Sequence, residues 1–230
     1  REIQDVLLSG GDPLLLAPSK LDHILSSLRR ISHVGIVRMG TRVPGFSPAT
    51  VTLELARMLS RHHPLFMNLH FNHPRELTQE AAKACGILAD AGIPLGSQTV
   101  LLRGVNDDPS VLGELFQGLL RLRVRPYYLM QMDLTRGTAH FRTPLARGLE
   151  VLSRLRNRIS GLAMPHLVVD LPGGRGKVPL TPNRVEAREE DRLVFLDYRG
   201  ERVSYPLLPG EGDELNKWLD SPLRVARESI

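Results

Sequence analysis

Short apolar segments alternate with amphipathic segments from residue 5 to residue 171, and this alternation limits the fold more than any other feature of the chain. Connections between the segments are short, as expected where parallel strands alternate with covering helices. The predicted strands are 5–9, 34–40, 64–71, 94–102, 125–133 and 166–171. The predicted helices are 19–31, 47–62, 78–92, 108–123 and 143–159. This order predicts an α/β fold, a partial (β/α)6 barrel.

Three of the predicted helices carry an N-terminal signal. Ser19, Ser47 and Thr78 each precede an amphipathic segment, and a hydroxyl at this position accepts a hydrogen bond from a free backbone N–H of the first turn. Pro48 follows Ser47 at a position where proline is well tolerated. We therefore predict that these three residues are N-caps.

The pattern changes after residue 180. The segment DRLVFLDYRGERVSYPLL (191–208) predicts two strands joined by a turn at YRGE, which is a β-hairpin. The tail from residue 212 is only weakly helical in pattern. We predict a barrel over residues 1–180 and a C-terminal appendage with a β-hairpin over residues 181–230.

Composition limits the binding partners and the cellular compartment that we expect for this chain. The 230-residue chain has a net charge of +5, but aromatic residues make up only 5% and are not interleaved with the basic ones, as they are in nucleic-acid-binding surfaces. No apolar run approaches the roughly 20 residues that span a bilayer. The single cysteine, Cys85, fits a reducing compartment. We expect a cytoplasmic protein that binds neither nucleic acid nor membrane.

Polar residues follow every predicted strand, at the edge where parallel barrels carry their active sites. The glycines of SGGDP (9–13) allow a ligand to approach the backbone, although a tight turn is an equally simple interpretation. In NLHFNHP (68–74), Asn68, His70 and Asn72 share one strand face. Hydrogen bonds to a ligand are favoured there over a metal site, because no carboxylate or cysteine at standard spacing completes a ligand set. A polar cap of the strand end is the alternative.

Asp133 and Asp170 end two successive predicted strands. Carboxylates at neighbouring strand ends repel each other unless a cation lies between them, and an ammonium group of a substrate is the natural candidate. Two helix N-caps would explain the same residues equally well. The residues alone leave both interpretations open.

The segment DLPGGRGK (170–177) is not a Walker A loop. That motif needs Gly-x4-Gly-Lys-Ser/Thr, whereas Leu171 stands five residues before Gly176 and Val178 follows Lys177. A lysine on a flexible glycine turn could instead form a Schiff base with pyridoxal phosphate. A solvated lysine is the simpler alternative.

The motifs VLLSGGDPL, GTRVP, HFNHP, VLLRGVND, VRPYY, HFRTP, PGGRGK and PN-V occur in this order between residues 6 and 185, and the resemblance that they carry covers roughly residues 4–208. In these motifs the chain resembles the lysine 2,3-aminomutase family of radical S-adenosylmethionine (SAM) enzymes. The resemblance implies a six-stranded partial barrel and an isomerase that converts L-lysine to L-β-lysine. In that family the amino group migrates on a pyridoxal phosphate aldimine, and SAM cleaved at a [4Fe-4S] cluster supplies the initiating radical.

The resemblance also assigns roles to single residues. Lys177 is expected to hold pyridoxal phosphate, and Asp133 and Asp170 are expected to bind the side-chain ammonium of the substrate. The residues expected to contact SAM are Ser9, Gly10, Gly11, Asp12, Thr41, Asn68, His70 and Gln98.

One departure from the family is clear, because the CxxxCxxC motif that holds the cluster is absent. The motif is expected upstream of residue 5, so we predict an N-terminally truncated chain that has no metal ligands of its own and is inactive alone. The open alternatives are an enzyme that makes β-lysine for elongation factor P, an aminomutase for arginine, and a cluster-less ligand-binding barrel. The resemblance further implies a flavodoxin or ferredoxin reductant and a homo-oligomer.

Overall fold

A computed structural model describes residues 2–181, 184–189, 191–197, 199–211 and 215 of the chain. The chain divides into two compact units, residues 1–181 and residues 182–230. The predicted weakly helical tail lies, apart from residue 215, outside the described residues. No helix in the described part is long and apolar enough to cross a membrane.

The first unit is built on one seven-stranded sheet whose strands follow each other in chain order. Neighbours from β1 to β6 are parallel, and β7 is antiparallel to β6. The strands are β1 (Asp5–Leu8), β2 (Ile36–Thr41), β3 (Leu65–His70), β4 (Leu95–Leu101), β5 (Val124–Gln131), β6 (His166–Asp170) and β7 (Lys177–Leu180). The six predicted strands are therefore confirmed. The seventh was not predicted, because KVPL is only four residues long and its proline is tolerated only at a sheet edge.

Six helices connect the parallel strands. They are α1 (Pro18–Arg29), α2 (Val43–Phe46), α3 (Leu53–Ser60), α4 (Gln79–Asp90), α5 (Pro109–Arg121) and α6 (Leu145–Leu155). The alternation of parallel strands and helices confirms the predicted partial (β/α) barrel.

The two faces of the sheet differ in burial. Val37, Met39 and Met67 are fully buried and pack in one apolar cluster with helix residues such as Leu21. Burying each side chain of this size contributes about 1.5–3 kcal/mol to folding. Residues between them in the strands, such as Arg38, remain partly exposed on the opposite face. The face with the partly exposed residues is the one available to a ligand.

Two of the three predicted N-caps are wrong. Helix α1 begins at Pro18 with Ala17 as its N-cap, which places Ser19 inside the first turn. The segment predicted as one helix from residue 47 is a 3-10 turn (Pro48–Thr50) followed by α3, and Ser47 makes no side-chain capping bond there. The true cap of α3 is Thr52, whose hydroxyl accepts a hydrogen bond from Leu55 N at 3.1 Å. Thr78 is confirmed as the N-cap of α4.

The second unit contains a three-stranded antiparallel sheet in the order β10–β9–β8. Its strands are β8 (Val185–Arg188), β9 (Arg192–Leu196) and β10 (Arg202–Pro206). Strands β9 and β10 confirm the predicted hairpin, with Arg202 opposite Leu196. Strand β8 was not predicted.

Candidate active site

Asp12 ties the end of β1 to the end of β2. One carboxylate oxygen accepts hydrogen bonds from Thr41 Oγ1 at 2.6 Å and Leu14 N at 3.1 Å, and the other accepts from Arg42 N at 2.7 Å. Thr41 is 1% exposed, so its bond to Asp12 is shielded from water. Because three donors occupy the carboxylate, Asp12 positions the two loops rather than acting as a free base.

Asn106 makes a second tie between the ends of β3 and β4. Its Nδ2 donates to Asn72 O at 2.7 Å and Val100 O at 2.8 Å, while its Oδ1 accepts from Leu102 N at 2.7 Å. Asn72 Oδ1 in turn accepts from Val100 N at 2.8 Å. Asn72 was a candidate ligand contact in the sequence, but its side chain is used within this network. Asn106, which is fully buried, was missed.

A cavity of about 350 Å³ lies at the rim that these two ties hold together. In the strand register, His70 is opposite Gln98, and Asn68 is opposite both Gly40 and Gly96. Seven of the eight predicted SAM residues line the cavity, namely Ser9, Gly10, Asp12, Thr41, Asn68, His70 and Gln98. The eighth, Gly11, lines a separate cavity of about 260 Å³. A volume of about 350 Å³ is within the usual range for small-molecule sites, about 300–1,000 Å³.

The cavity presents hydrogen-bond donors and positive charge. Asn68 is 7% exposed, and its Nδ2 is buried without a hydrogen-bond partner among the described residues. Leaving such a donor unsatisfied costs about 1–3 kcal/mol, which an acceptor on a ligand would recover. Arg42, a lining residue that the sequence did not single out, is exposed, and its guanidinium has no hydrogen bond or ion pair within the described residues.

His70 is uncharged in this setting. Burial lowers the pKa of its imidazole below the ordinary value of 6.5, the nearby Arg42 charge lowers it further, and Asp12 opposes the shift. The imidazole is therefore neutral at neutral pH, with one ring nitrogen as a donor and the other as an acceptor. A neutral His70 beside the Arg42 and Asn68 donors suits a ligand that carries a carboxylate and further polar groups.

Asp170 and Lys177 form an ion pair at the end of the sheet. Asp170 is the last residue of β6, Lys177 is the first residue of β7, and the two are directly opposite in the antiparallel register. Lys177 Nζ donates to Asp170 Oδ2, and each side chain is 32% exposed. The prediction of a lysine on a flexible turn is wrong in this respect, because a strand fixes its backbone.

The connection between these strands is a tight six-residue turn. Leu171 N donates to Gly176 O at 2.9 Å, which closes the turn. Gly173, Gly174 and Gly176 have φ angles of 77°, 71° and 86°, a region that other residues adopt only under strain. The three glycines are therefore needed for the hairpin to form.

Asp133 lies two residues past the end of β5 and is exposed. Its carboxylate has no hydrogen bond or ion pair within the described residues. The β5–β6 register, with Met130 opposite Val168, puts Asp133 and Asp170 at the same end of neighbouring strands. Neither acid is the N-cap of a described helix, which removes that interpretation. Asp133, Asp170 and Lys177 are not among the residues lining the 350 Å³ cavity.

Tyr127 and Tyr128 form a pair that the sequence did not predict. A register irregularity at Ser97/Gln98 in β4 pairs Gln98 with Tyr128, so that two consecutive tyrosines come side by side. Their ring centroids are 3.8 Å apart and Tyr127 Oη donates to Tyr128 Oη at 2.9 Å. This hydrogen bond is the main reason that the pKa of Tyr127 is raised.

The described residues do not fit an iron–sulfur cluster. Such clusters are held by cysteine thiolates, and Cys85 is fully buried in α4, where burial raises the pKa of its thiol to about 12. No group of three histidine, cysteine or acidic side chains in the described part of the chain is arranged to hold a metal ion. A cluster would have to take its ligands from elsewhere.

The fold of the chain has a counterpart among solved structures. It is similar to a domain of a pyruvate-formate lyase-activating enzyme from Bacteroides vulgatus ATCC 8482, with a TM-score of 0.50 and 17% sequence identity over 71% of this chain and 97% of that one. At this identity the likeness concerns the fold alone.

Sequence comparison gives the family. The lysine-2,3-aminomutase family model matches residues 152–219. The chain is 49% identical over 204 residues, 89% of its length, to an L-lysine 2,3-aminomutase from Clostridium subterminale. It is 45% identical over 202 residues, 88% of its length, to a glutamate 2,3-aminomutase from Clostridioides difficile strain 630. The chain therefore belongs to the lysine 2,3-aminomutase family, as its motifs indicate. It spans about half the length of the curated relatives it matches, 49% and 48% of these two.

Proposed function

We propose that this protein is an isomerase, a radical SAM aminomutase that converts L-lysine to L-β-lysine. Identity alone does not select the substrate, because the lysine and glutamate enzymes are 49% and 45% identical to the chain. The observation that carries the proposal is the pair of carboxylates at neighbouring strand ends, Asp133 and Asp170. Asp170 already accepts a primary ammonium, that of Lys177.

Charge supports lysine over glutamate as the substrate. Two carboxylates favour the cationic side chain of lysine and disfavour the anionic side chain of glutamate. Asp133 has no partner among the described residues, so a substrate ammonium placed between the acids would neutralise a charge that is now uncompensated. Arginine also carries a cationic side chain, but no observation in the site favours it.

The 350 Å³ cavity supports the assignment of SAM. SAM carries a carboxylate, which suits the Arg42 guanidinium, and several polar groups, which suit the Asn68 amide and neutral His70. Gly10 is open on its outer side, since nothing lies within 4 Å of where a Cβ would stand. In the working enzyme SAM would be the source of the radical that starts the rearrangement.

Lys177 supports the assignment of pyridoxal phosphate. A primary amine is the group that binds the aldehyde of this cofactor, and Lys177 is only partly buried at a strand end. The adjoining glycines Gly173, Gly174 and Gly176 leave open space around the turn. Bound pyridoxal phosphate would carry the migrating amino group of the substrate.

The cofactor proposal is tested by absorbance. Added pyridoxal phosphate should give an imine band near ~420 nm, and borohydride reduction should fix the adduct on Lys177, as judged by peptide mass spectrometry. The variant Lys177→Met should lose the band, and Lys83→Met, which removes an exposed lysine of α4, should keep it. An adduct on other lysines, or an unchanged band in Lys177→Met, would reject the assignment.

The substrate proposal is tested by comparing the two acids. Asp133→Asn and Asp170→Asn should each weaken the binding of L-lysine far more than the binding of SAM, measured by calorimetry on the same protein. Asp107→Asn, a partly exposed acid on the loop after β4, is the matched control. If L-lysine and L-glutamate bind equally well, or if the two variants lose lysine and SAM binding in parallel, the acids are structural and the substrate is wrong.

A further inference from the structure

Two groups with different proposed roles are joined in one ion pair. Asp170 is proposed to receive the side-chain ammonium of the substrate, and Lys177 is proposed to hold the cofactor. In the structure the Lys177 ammonium occupies the Asp170 carboxylate, and the antiparallel register places the two backbones opposite each other. The hairpin therefore places the two side chains on one face of the sheet, within reach of each other.

A single carboxylate cannot hold both cations at full strength. The ammonium of Lys177 and that of a substrate lysine are the same chemical group, a primary alkylammonium, so Asp170 does not distinguish them by type. Asp133 is not engaged by Lys177. Of the two acids, only Asp170 is thus occupied by a cation from the described part of the chain.

We propose that Lys177 is an internal competitor of the substrate ammonium for Asp170, so that an incoming amino acid meets an open ammonium subsite only when Lys177 is attached to its cofactor. This inference rests on the proposed function. It adds an order of assembly in which the cofactor precedes the amino acid. It also gives Lys177 a specificity role that is separate from its role as cofactor anchor.

The chemistry of attachment explains how the competitor is removed. When the Lys177 ammonium condenses with an aldehyde, a carbon–nitrogen bond forms and the carbonyl oxygen leaves as water together with two of the three N–H protons. One N–H and the single positive charge remain on a nitrogen that is now bonded to the cofactor carbon. The nitrogen has lost two of its three donors, so its hold on Asp170 weakens.

The size of the effect follows from the exposure of the pair. Both side chains are 32% exposed, so water partly screens the ion pair. The population of the closed form, in which the ion pair is made, therefore exceeds that of the open form, in which it is broken, only several-fold. A ligand that needs the open form has its apparent affinity reduced by the fraction that is open. We expect a penalty of about fivefold on ammonium binding before the cofactor is attached.

The test measures ligand binding to the full chain without pyridoxal phosphate. NMR titration with L-lysine compares the wild type with Lys177→Met, which removes the terminal ammonium and its charge and keeps an unbranched side chain of the other four atoms. L-norleucine, which lacks the terminal ammonium, is the second probe, and Lys83→Met is the control for loss of one positive charge elsewhere. Lys177→Met should bind L-lysine about fivefold more tightly than either the wild type or the control, with no change for norleucine. Adding Asp170→Asn to Lys177→Met should abolish the gain.

The outcomes separate the inference from the proposed function. If Asp170→Asn weakens lysine binding but Lys177→Met does not strengthen it, the competition is overturned and the proposed substrate stands. If the gain in Lys177→Met survives the addition of Asp170→Asn, the competition does not act through Asp170 and is likewise overturned. If no variant binds L-lysine, the inference and the lysine specificity fall together.

Discussion

Replacing Asn106 with leucine tests whether the network behind the cavity is as important as its geometry indicates. Asn106 is fully buried and makes three side-chain hydrogen bonds, to Asn72 O, Val100 O and Leu102 N, all 2.7–2.8 Å long. Leucine has a volume similar to that of asparagine or somewhat larger, so the substitution removes the hydrogen bonds without leaving a cavity. Three orphaned backbone groups cost about 1–3 kcal/mol each, and removing the buried amide itself returns about 1–3 kcal/mol. The net loss in the free energy of unfolding should be about 2–6 kcal/mol.

Urea unfolding followed by circular dichroism measures this loss, provided that the slope m is unchanged between the proteins. Asp107→Asn is the control on the same loop. Its side-chain oxygen accepts from Gly104 N at 2.9 Å in an exposed position, and an amide oxygen can still accept that bond, so the cost should stay below about 0.5 kcal/mol. A loss under about 1 kcal/mol for Asn106→Leu at unchanged m would refute the reasoning, since it would mean that the orphaned groups find other partners or water.

Three further predictions concern the cavity and the core. NMR titration should give His70 a pKa below 6.5, and Arg42→Met should raise it, because a nearby positive charge is removed; an unmoved pKa would reject that cause. As the pH falls through 6.5, the His70 imidazole takes up a proton in the unfolded chain before it does so in the folded chain. The contribution of His70 to the free energy of unfolding is therefore fully present above that pH and declines below it. Arg42→Met should also weaken SAM binding about tenfold in calorimetry, as expected for one charge-assisted hydrogen bond, and unchanged affinity would remove Arg42 from the site. Gly148→Ala should cost about 1–3 kcal/mol, because its Cβ would lie 2.9 Å from two methyl carbons of the buried Leu167, whereas Gly161→Ala, with open space, should be near neutral in thermal unfolding.

The strands and helices of the first unit could be predicted because burial acts on them in a periodic way. The residues at positions 37, 39, 65, 67 and 69 alternate with less buried ones, and helices show their own period. Helix starts were less predictable, because the nearest hydroxyl residue is not always the cap. The prediction for Ser19 is wrong because Pro18 is favourable at the first helical position, so that the N-cap of α1 is Ala17, two residues earlier.

The residues of the cavity could be predicted because parallel strands bring their carboxyl ends to one edge. Gly11 was predicted together with them but lines a different cavity, because successive residues of a turn face different directions. Asn106 could not be predicted from local sequence. One of its partners, Asn72, is 34 residues away, and their contact exists only after β3 and β4 pair.

The local structure around Lys177 differs from the one that the sequence indicates. The eight residues from Asp170 to Lys177 suggest a glycine turn that lets a lysine reach inward, yet they form the turn of a hairpin with Leu171 N bonded to Gly176 O. The distance between the two charges is therefore set by the length of that turn and by its three left-handed glycines, rather than by the flexibility of the lysine. A turn one residue shorter or longer would place the Lys177 side chain on the other face of the sheet, away from Asp170, because successive side chains of a strand alternate. The partner of the lysine is thus encoded in the residues between the two charges.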